Sequence, residues 1–268
     1  DDYTLFVIYN NGMITLWNYV IRVQHTFKFP DLINSNCIAI SSNYAYISNE
    51  DGIFVFPLFS LCYSEFPLLK GPSSVVEFRP IKNGAVPVKY DLSSFSESVV
   101  SVTADDSETY IAVALETKII LITRCNGHFI QDEKLRLIPK YIQFHGNFLC
   151  IIEFDSFHYF LKFISISNNY EIVSTYEFPN SPSGLATDVN SCVVIFPNHL
   201  AIFENFKFLT NVEVDSNPVH CCICSNYKKI IALLQSRVLL LIDYSDTTIR
   251  ISTISEDVSE FFYDNNFS

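Results

Sequence analysis

The chain has 268 residues, 49% of them apolar and only 17% charged, which supplies a full core and excludes a disordered polymer. Its net charge of −12 excludes a general phosphate-binding surface, because binding along a nucleic-acid backbone needs clustered Lys and Arg. There are 24 Phe and 15 Tyr against seven Gly, and Ala-Glu-Lys-Leu stretches are scarce, so the residues suit pleated, half-buried strands.

Taken in order, the chain repeats one hairpin. It reads NNGMITLW from Asn10 to Trp17, EDGIFVF from Glu50 to Phe56, ETKIILIT from Glu116 to Thr123, PNHLAIF from Pro197 to Phe203 and QSRVLLLI from Gln235 to Ile242. Each copy is a short polar turn between apolar, β-branched or aromatic runs. With Gly12, Gly52, Lys118, Phe157, His199 and Arg237 as equivalent turn positions, the spacings are about 40, 66, 39, 42 and 38 residues. A period of this length marks a radial array of four-stranded blades, an all-β propeller.

A short strand precedes the hairpin at Cys37 to Ile40, Val99 to Val102 and Val219 to Ile223. Continuous aliphatic runs such as IIALL and VLLLI fit strands covered on both faces, while Val23 to Phe29 has the polarity of an outer strand. The chain opens on the second strand of a unit, Thr4 to Tyr9, and ends on an unpaired aromatic strand, Val258 to Tyr263. Pairing the two closes a ring of six blades. The long interval holds an insertion over 71–94. A hairpin within it, Val75 to Phe78 and Val86 to Tyr90 around Lys82-Asn83-Gly84, makes seven blades the alternative. Residues 1–268 are read as one domain. With Asp1 in first place rather than Met, the expectation is a domain cut from a longer protein.

The eight cysteines, at 37, 62, 125, 150, 192, 221, 222 and 224, lack framework spacing and several fall in strands. They read as small buried hydrophobes in a reducing compartment, which places the chain in the cytoplasm. His220, Cys221, Cys222 and Cys224 alternate along a strand instead of pairing on turns as zinc ligands do, so no metal is expected. Asp105-Asp106, Asp132-Glu133 and Glu256-Asp257 fall in turns, where an acidic side chain bonds its own backbone. Ser183-Gly184 lacks the nucleophile-elbow pattern, and no Gly-rich phosphate loop is present, so no cofactor and no catalytic set are expected. Ile230 to Ile242, the best apolar stretch, is broken by Gln235, Ser236 and Arg237, so direct membrane insertion is not expected. Packing, not polar networks, is expected to fix the blades.

Partner-binding residues are sought where the period breaks. Phe66, Phe78, Arg79 and Tyr90 mix aromatic groups, proline neighbours and Arg as interface patches do. Gly12-Met13-Ile14-Thr15-Leu16-Trp17-Asn18 resembles the closing strand of WD40 repeats, with Asn18 where Asp is usual, and Asp51 to Phe56 repeats the pattern with Phe for Trp. That resemblance implies a scaffold that binds other proteins without catalysis. The same strand and Arg124-Cys125-Asn126-Gly127-His128-Phe129 look similar to the C-terminal WD region of BEACH-domain trafficking proteins. The citron-homology propellers of vesicle-tethering proteins are the neighbouring alternative. Either implies an intracellular membrane-trafficking complex, with membrane contact made through partners. A propeller enzyme with a site in its central channel is the competing class.

Overall fold

A computed structural model describes residues 4–9, 11–18, 23–35, 37–41, 43–49, 52–57, 88–105, 107–246 and 248–256. Each of the six turn positions lies where the chain reverses inside its own antiparallel meander. Sheet 1 consists of β1 (Thr4–Ile8), β2 (Asn11–Asn18) and β3 (Val23–Ile33). Sheet 2 runs β4 (Cys37–Ile40), β5 (Tyr44–Asn49), β6 (Gly52–Pro57) and β7 (Val88–Asp91). Sheet 3 runs β8 (Val99–Ala104), β9 (Tyr110–Leu115), β10 (Ile119–Thr123) and β11 (His128–Ile130).

Sheet 4 contains β12 (Pro139–His145), β13 (Phe148–Asp155), β14 (His158–Ser165) and β15 (Glu171–Phe178). Sheet 5 contains β16 (Gly184–Thr187), β17 (Ser191–Ile195), β18 (His199–Glu204) and β19 (Lys207–Glu213). Sheet 6 contains β20 (Pro218–Cys224), β21 (Lys229–Leu234), β22 (Leu239–Asp243) and β23 (Arg250–Ser255). Two single 3-10 turns, Glu133–Leu135 and Ser225–Tyr227, are the helical elements among the described residues.

The aliphatic runs occupy the middle strands. β5, β9 and β17 are buried almost end to end, on both faces, whereas every residue of β23 is exposed. The chain divides into two compact units, Asp1–Glu116 with Leu121–Ile130 and Thr117–Ile120 with Gln131–Ser268. In the first, Ile14, Leu32, Ala45, Ile47, Phe54 and Phe56 form a core, and the Phe29 ring meets Phe56 edge-on at 4.9 Å. In the second, two apolar clusters fill the seams of sheets 4, 5 and 6.

The expected insertion needs a new boundary. Val88–Asp91 is the fourth strand of sheet 2, with Val55 opposite Val88 and Gly52 opposite Asp91. Residues 88–91 therefore belong to the repeat, because their alternation places Tyr90 inward. Residues 88–90, the described part of the second arm (Val86 to Tyr90) behind the seven-blade alternative, are absorbed in the same way. Its first arm, Val75 to Phe78, lies outside the described residues, as does the closing strand Val258 to Tyr263. Among the described residues there are six sheets, and sheet 1 has three strands.

Candidate interaction surface

In two of the acidic pairs one member serves its own turn. Asp105 accepts from the backbone N–H of Tyr110 at 2.7 Å and from the Ser107 hydroxyl. Asp132 caps the first 3-10 turn by accepting from the Lys134 N–H at 2.9 Å. Asp106 and Asp257 lie outside the described residues. On β20, Cys221 is buried while Cys222 and Cys224 occupy the opposite, half-buried face. Among the described residues no three His, Cys, Asp or Glu side chains are grouped to hold a metal ion.

Of the sequence-selected partner residues, Phe66, Phe78 and Arg79 lie outside the described residues. Tyr90 is 7% exposed and donates its hydroxyl to the Arg124 carbonyl at 2.6 Å, so its ring is occupied inside the first unit. Burial raises its phenol pKa, with the Arg124 charge acting in the opposite direction.

Around that bond lies a polar seam which corrects the packing-only expectation. Glu108, in the β8–β9 turn, accepts from the Ser41 hydroxyl at 2.6 Å, the Asn43 N–H at 2.8 Å and the Asn43 side-chain amide at 3.2 Å. Arg124 donates through Nε to the Glu108 carbonyl at 2.5 Å and lies over the Tyr44 ring at 4.3 Å. Sheets 2 and 3 are thus joined by side chains from three separate turns. Tyr46 is buried beside them, and burial pushes its phenol up to about 12.

The second unit offers an outward-facing group at the hairpin end of sheet 4. The register of β12 slips between Pro139, opposite Glu153, and Tyr141, opposite Ile152, so Lys140 is a bulge residue. A bulge re-aims its side chain. The Lys140 ammonium donates to the Ser181 hydroxyl at 2.7 Å and the Pro182 carbonyl at 2.6 Å, and it lies near the Tyr159 and Tyr141 rings at 5.1 and 5.5 Å. Tyr141 donates to the Ser183 carbonyl at 2.8 Å, and Phe154 packs on Tyr159 at 4.9 Å. These contacts fix the end of the sheet.

Two apolar side chains project from it. Phe157 is 83% exposed on a two-residue turn between the paired Asp155 and His158, and Ile138 is 54% exposed just before β12. The Ile138 carbonyl accepts from the Phe154 N–H at 3.1 Å, which ties both positions to the same strand end. The sequence carried a signal here. Phe157 stands at the turn position that Gly, Lys, His or Arg fills in the other repeats, and a large ring there has no turn-forming role.

Neither a protein-family model nor a curated protein sequence matches the chain. The fold does match solved structures. The WD40 domain of Pan2 from Neurospora crassa superposes with a TM-score of 0.69 at 9% identity, over 96% of this chain and 77% of that one. PorZ, an essential bacterial surface component of the type-IX secretion system of Porphyromonas gingivalis, gives 0.65 at 12% identity, over 95% of this chain and 31% of that one. A chain of a nidogen/laminin complex gives 0.58 at 12%, over 93% and 92%. At such identities the likeness establishes the fold alone, a β-propeller. Since 1035 solved chains match, and one of these three is a bacterial surface component, the fold by itself separates neither functions nor compartments.

Proposed function

We propose that this chain is a non-catalytic scaffold for protein–protein interaction and that the hairpin end of sheet 4 is one of its contact faces. The carrying observation is Phe157, exposed on a turn whose supporting residues are locked by Lys140. A large exposed ring with only two side-chain torsions loses little freedom when a partner covers it, which is how aromatic anchors act at interfaces. Phe66, Phe78 and Arg79 form a second contact in this reading. The setting is an intracellular membrane-trafficking complex in the cytoplasm, with the chain as the C-terminal WD region of a BEACH-domain protein and membranes reached through partners. The Gly12 to Trp17 strand and the scattered cysteines support it. In the same reading residues 258–263 supply the first strand of sheet 1.

The test compares tagged wild type with Phe157→Asp by affinity purification and quantitative mass spectrometry, alongside thermal unfolding. Because the ring is already in water, the variant is expected to unfold within about 0.5 kcal/mol of wild type. At least one specific partner should fall about tenfold or more, the size of a single hot-spot residue. Identical partner sets would remove the hairpin end as a contact face. A wild type with no specific partner would remove the scaffold reading itself.

A further inference from the structure

Sheets 4 and 5 share an apolar seam in which Ile152, Leu161, Phe163, Val194 and Phe203 cluster. Within it Cys150 on β13 and Cys192 on β17 are 0% and 1% exposed, with their sulfurs 3.5 Å apart. Both stand on the second strand of their sheets, one repeat apart. Burial raises the Cys150 pKa and Cys192 adds to the shift, so this sulfur stays a thiol and reacts slowly while the seam is closed. A disulfide needs a separation of about 2.05 Å. The gap between two face-packed sheets is one a buried disulfide spans in immunoglobulin-type sandwiches.

We propose that Cys150 and Cys192 are a latent inter-sheet crosslink that closes when the chain folds, or its seam opens, in the presence of a small-molecule disulfide such as oxidised glutathione. One cysteine thiolate attacks the small disulfide and releases one equivalent of thiol. The second cysteine thiolate then attacks the protein sulfur of the mixed disulfide and releases the other equivalent. The protein gives up two protons and two electrons, which leave in the two small thiols. In a reducing compartment the pair stays open and acts as core packing. Closed, it fixes the ends of a 42-residue separation and restricts the unfolded chain. The inference holds whichever partner Phe157 meets.

The experiment uses the full chain, unfolded in urea under reduction and then refolded in a glutathione redox buffer. A native sample is held in the same buffer for the same time. Both are alkylated and mapped by mass spectrometry without reduction. The refolded sample should yield the peptide pair joined through Cys150 and Cys192, with a thermal midpoint about 5–10 °C higher that a reductant reverses. The native sample should yield far less of it, because the oxidant must wait for opening. Cys192→Ala should abolish both the linked peptide and the shift. The proposal is overturned if the linked peptide is absent, if it forms with a lowered midpoint, or if the native sample crosslinks as fast as the refolding one. Expression in an oxidising bacterial periplasm gives a second readout that needs no refolding: a linked pair supports the proposal, and two free thiols overturn it.

Discussion

Glu108 is 7% exposed in a left-handed backbone conformation, φ 56°, and its carboxylate takes three donors from the β4–β5 turn. Removing it leaves the Asn43 N–H without its acceptor and the Ser41 hydroxyl with only a longer, 3.3 Å bond to the Tyr44 carbonyl, in a partly buried seam. Glu108→Ala should therefore cost about 2–4 kcal/mol in urea unfolding, while Glu108→Gln keeps an acceptor oxygen and should cost clearly less. Equal small losses would mean that water replaces the carboxylate and that the seam is decorative. His145 answers to pH. It is 2% exposed, with its ring edge-on to Phe206 at 5.4 Å and near Phe163 at 5.8 Å, and its Nδ1 has no hydrogen-bond partner. Burial lowers its pKa, with backbone bonds to Asp188 and Ser191 and the Asp188 charge pulling the other way. The folded state thus resists a proton that the unfolded chain accepts. Stability from this group is complete above its ordinary pKa of about 6.5 and falls as pH drops below it, by up to about 1.4 kcal/mol per pH unit. His220 is shifted in the same direction by burial, so His145→Leu should flatten the loss between pH 7.5 and 5.5 without abolishing it. An unchanged slope would assign the pH response to other groups.

Elements reveal why two glycines in the hairpin pattern resist replacement. Gly52 opens β6 directly opposite Asp91 of β7, and a Cβ there would lie 2.3 Å from the Tyr90 carbonyl oxygen. Gly12 of β2 meets the Phe29 carbonyl at 2.4 Å in the same way. The strand after the hairpin turn begins where the next strand's backbone comes closest, and that approach selects glycine. Gly52→Ala should cost more than about 2 kcal/mol, since backbone must move. Gly146→Ala, where the nearest atom is 3.7 Å away, should cost only about 1–2 kcal/mol, from its left-handed backbone. Chemical denaturation of both variants checks this, and similar losses would contradict the close-approach account. The middle strands were legible in the sequence because burial on both faces writes an uninterrupted aliphatic run. Of the outer strands, Val23 to Phe29 was legible from its polarity, but β15, β19 and β23 were not, because bulges put Val173, Leu209 and Ile254 out of alternation and leave them exposed. The Glu108 seam was illegible for a different reason. Ser41 and Asn43 lie 67 and 65 residues from it, and no local pattern links polar residues in separate turns.

For the whole molecule, the break in the period lies inside a sheet and not between two sheets. Residues 58–87 connect β6 to β7, which pair directly, so the connection can change length while both its anchors stay in register. Loop-closure entropy depends only logarithmically on length, so removing 71–86 changes that cost by under about 1 kcal/mol. Removing 71–94 differs in kind. It takes away β7 with the buried Tyr90 and Leu92, and it strips the Tyr90–Arg124 bond from the seam. The shorter deletion should therefore unfold cooperatively within a few degrees of wild type, because about 1 kcal/mol moves the midpoint only about 2–4 °C at this size. The longer one should lose at least several kcal/mol, from burial of two large side chains and one hydrogen bond. Thermal unfolding of the two deletions separates the accounts, and equal midpoints would show that β7 contributes nothing to sheet 2. Because the shorter deletion also removes Phe78 and Arg79 but leaves Phe157, its partner set assigns binding. Partners lost with 71–86 belong to the break in the period, and partners kept there but lost with Phe157→Asp belong to the hairpin end of sheet 4.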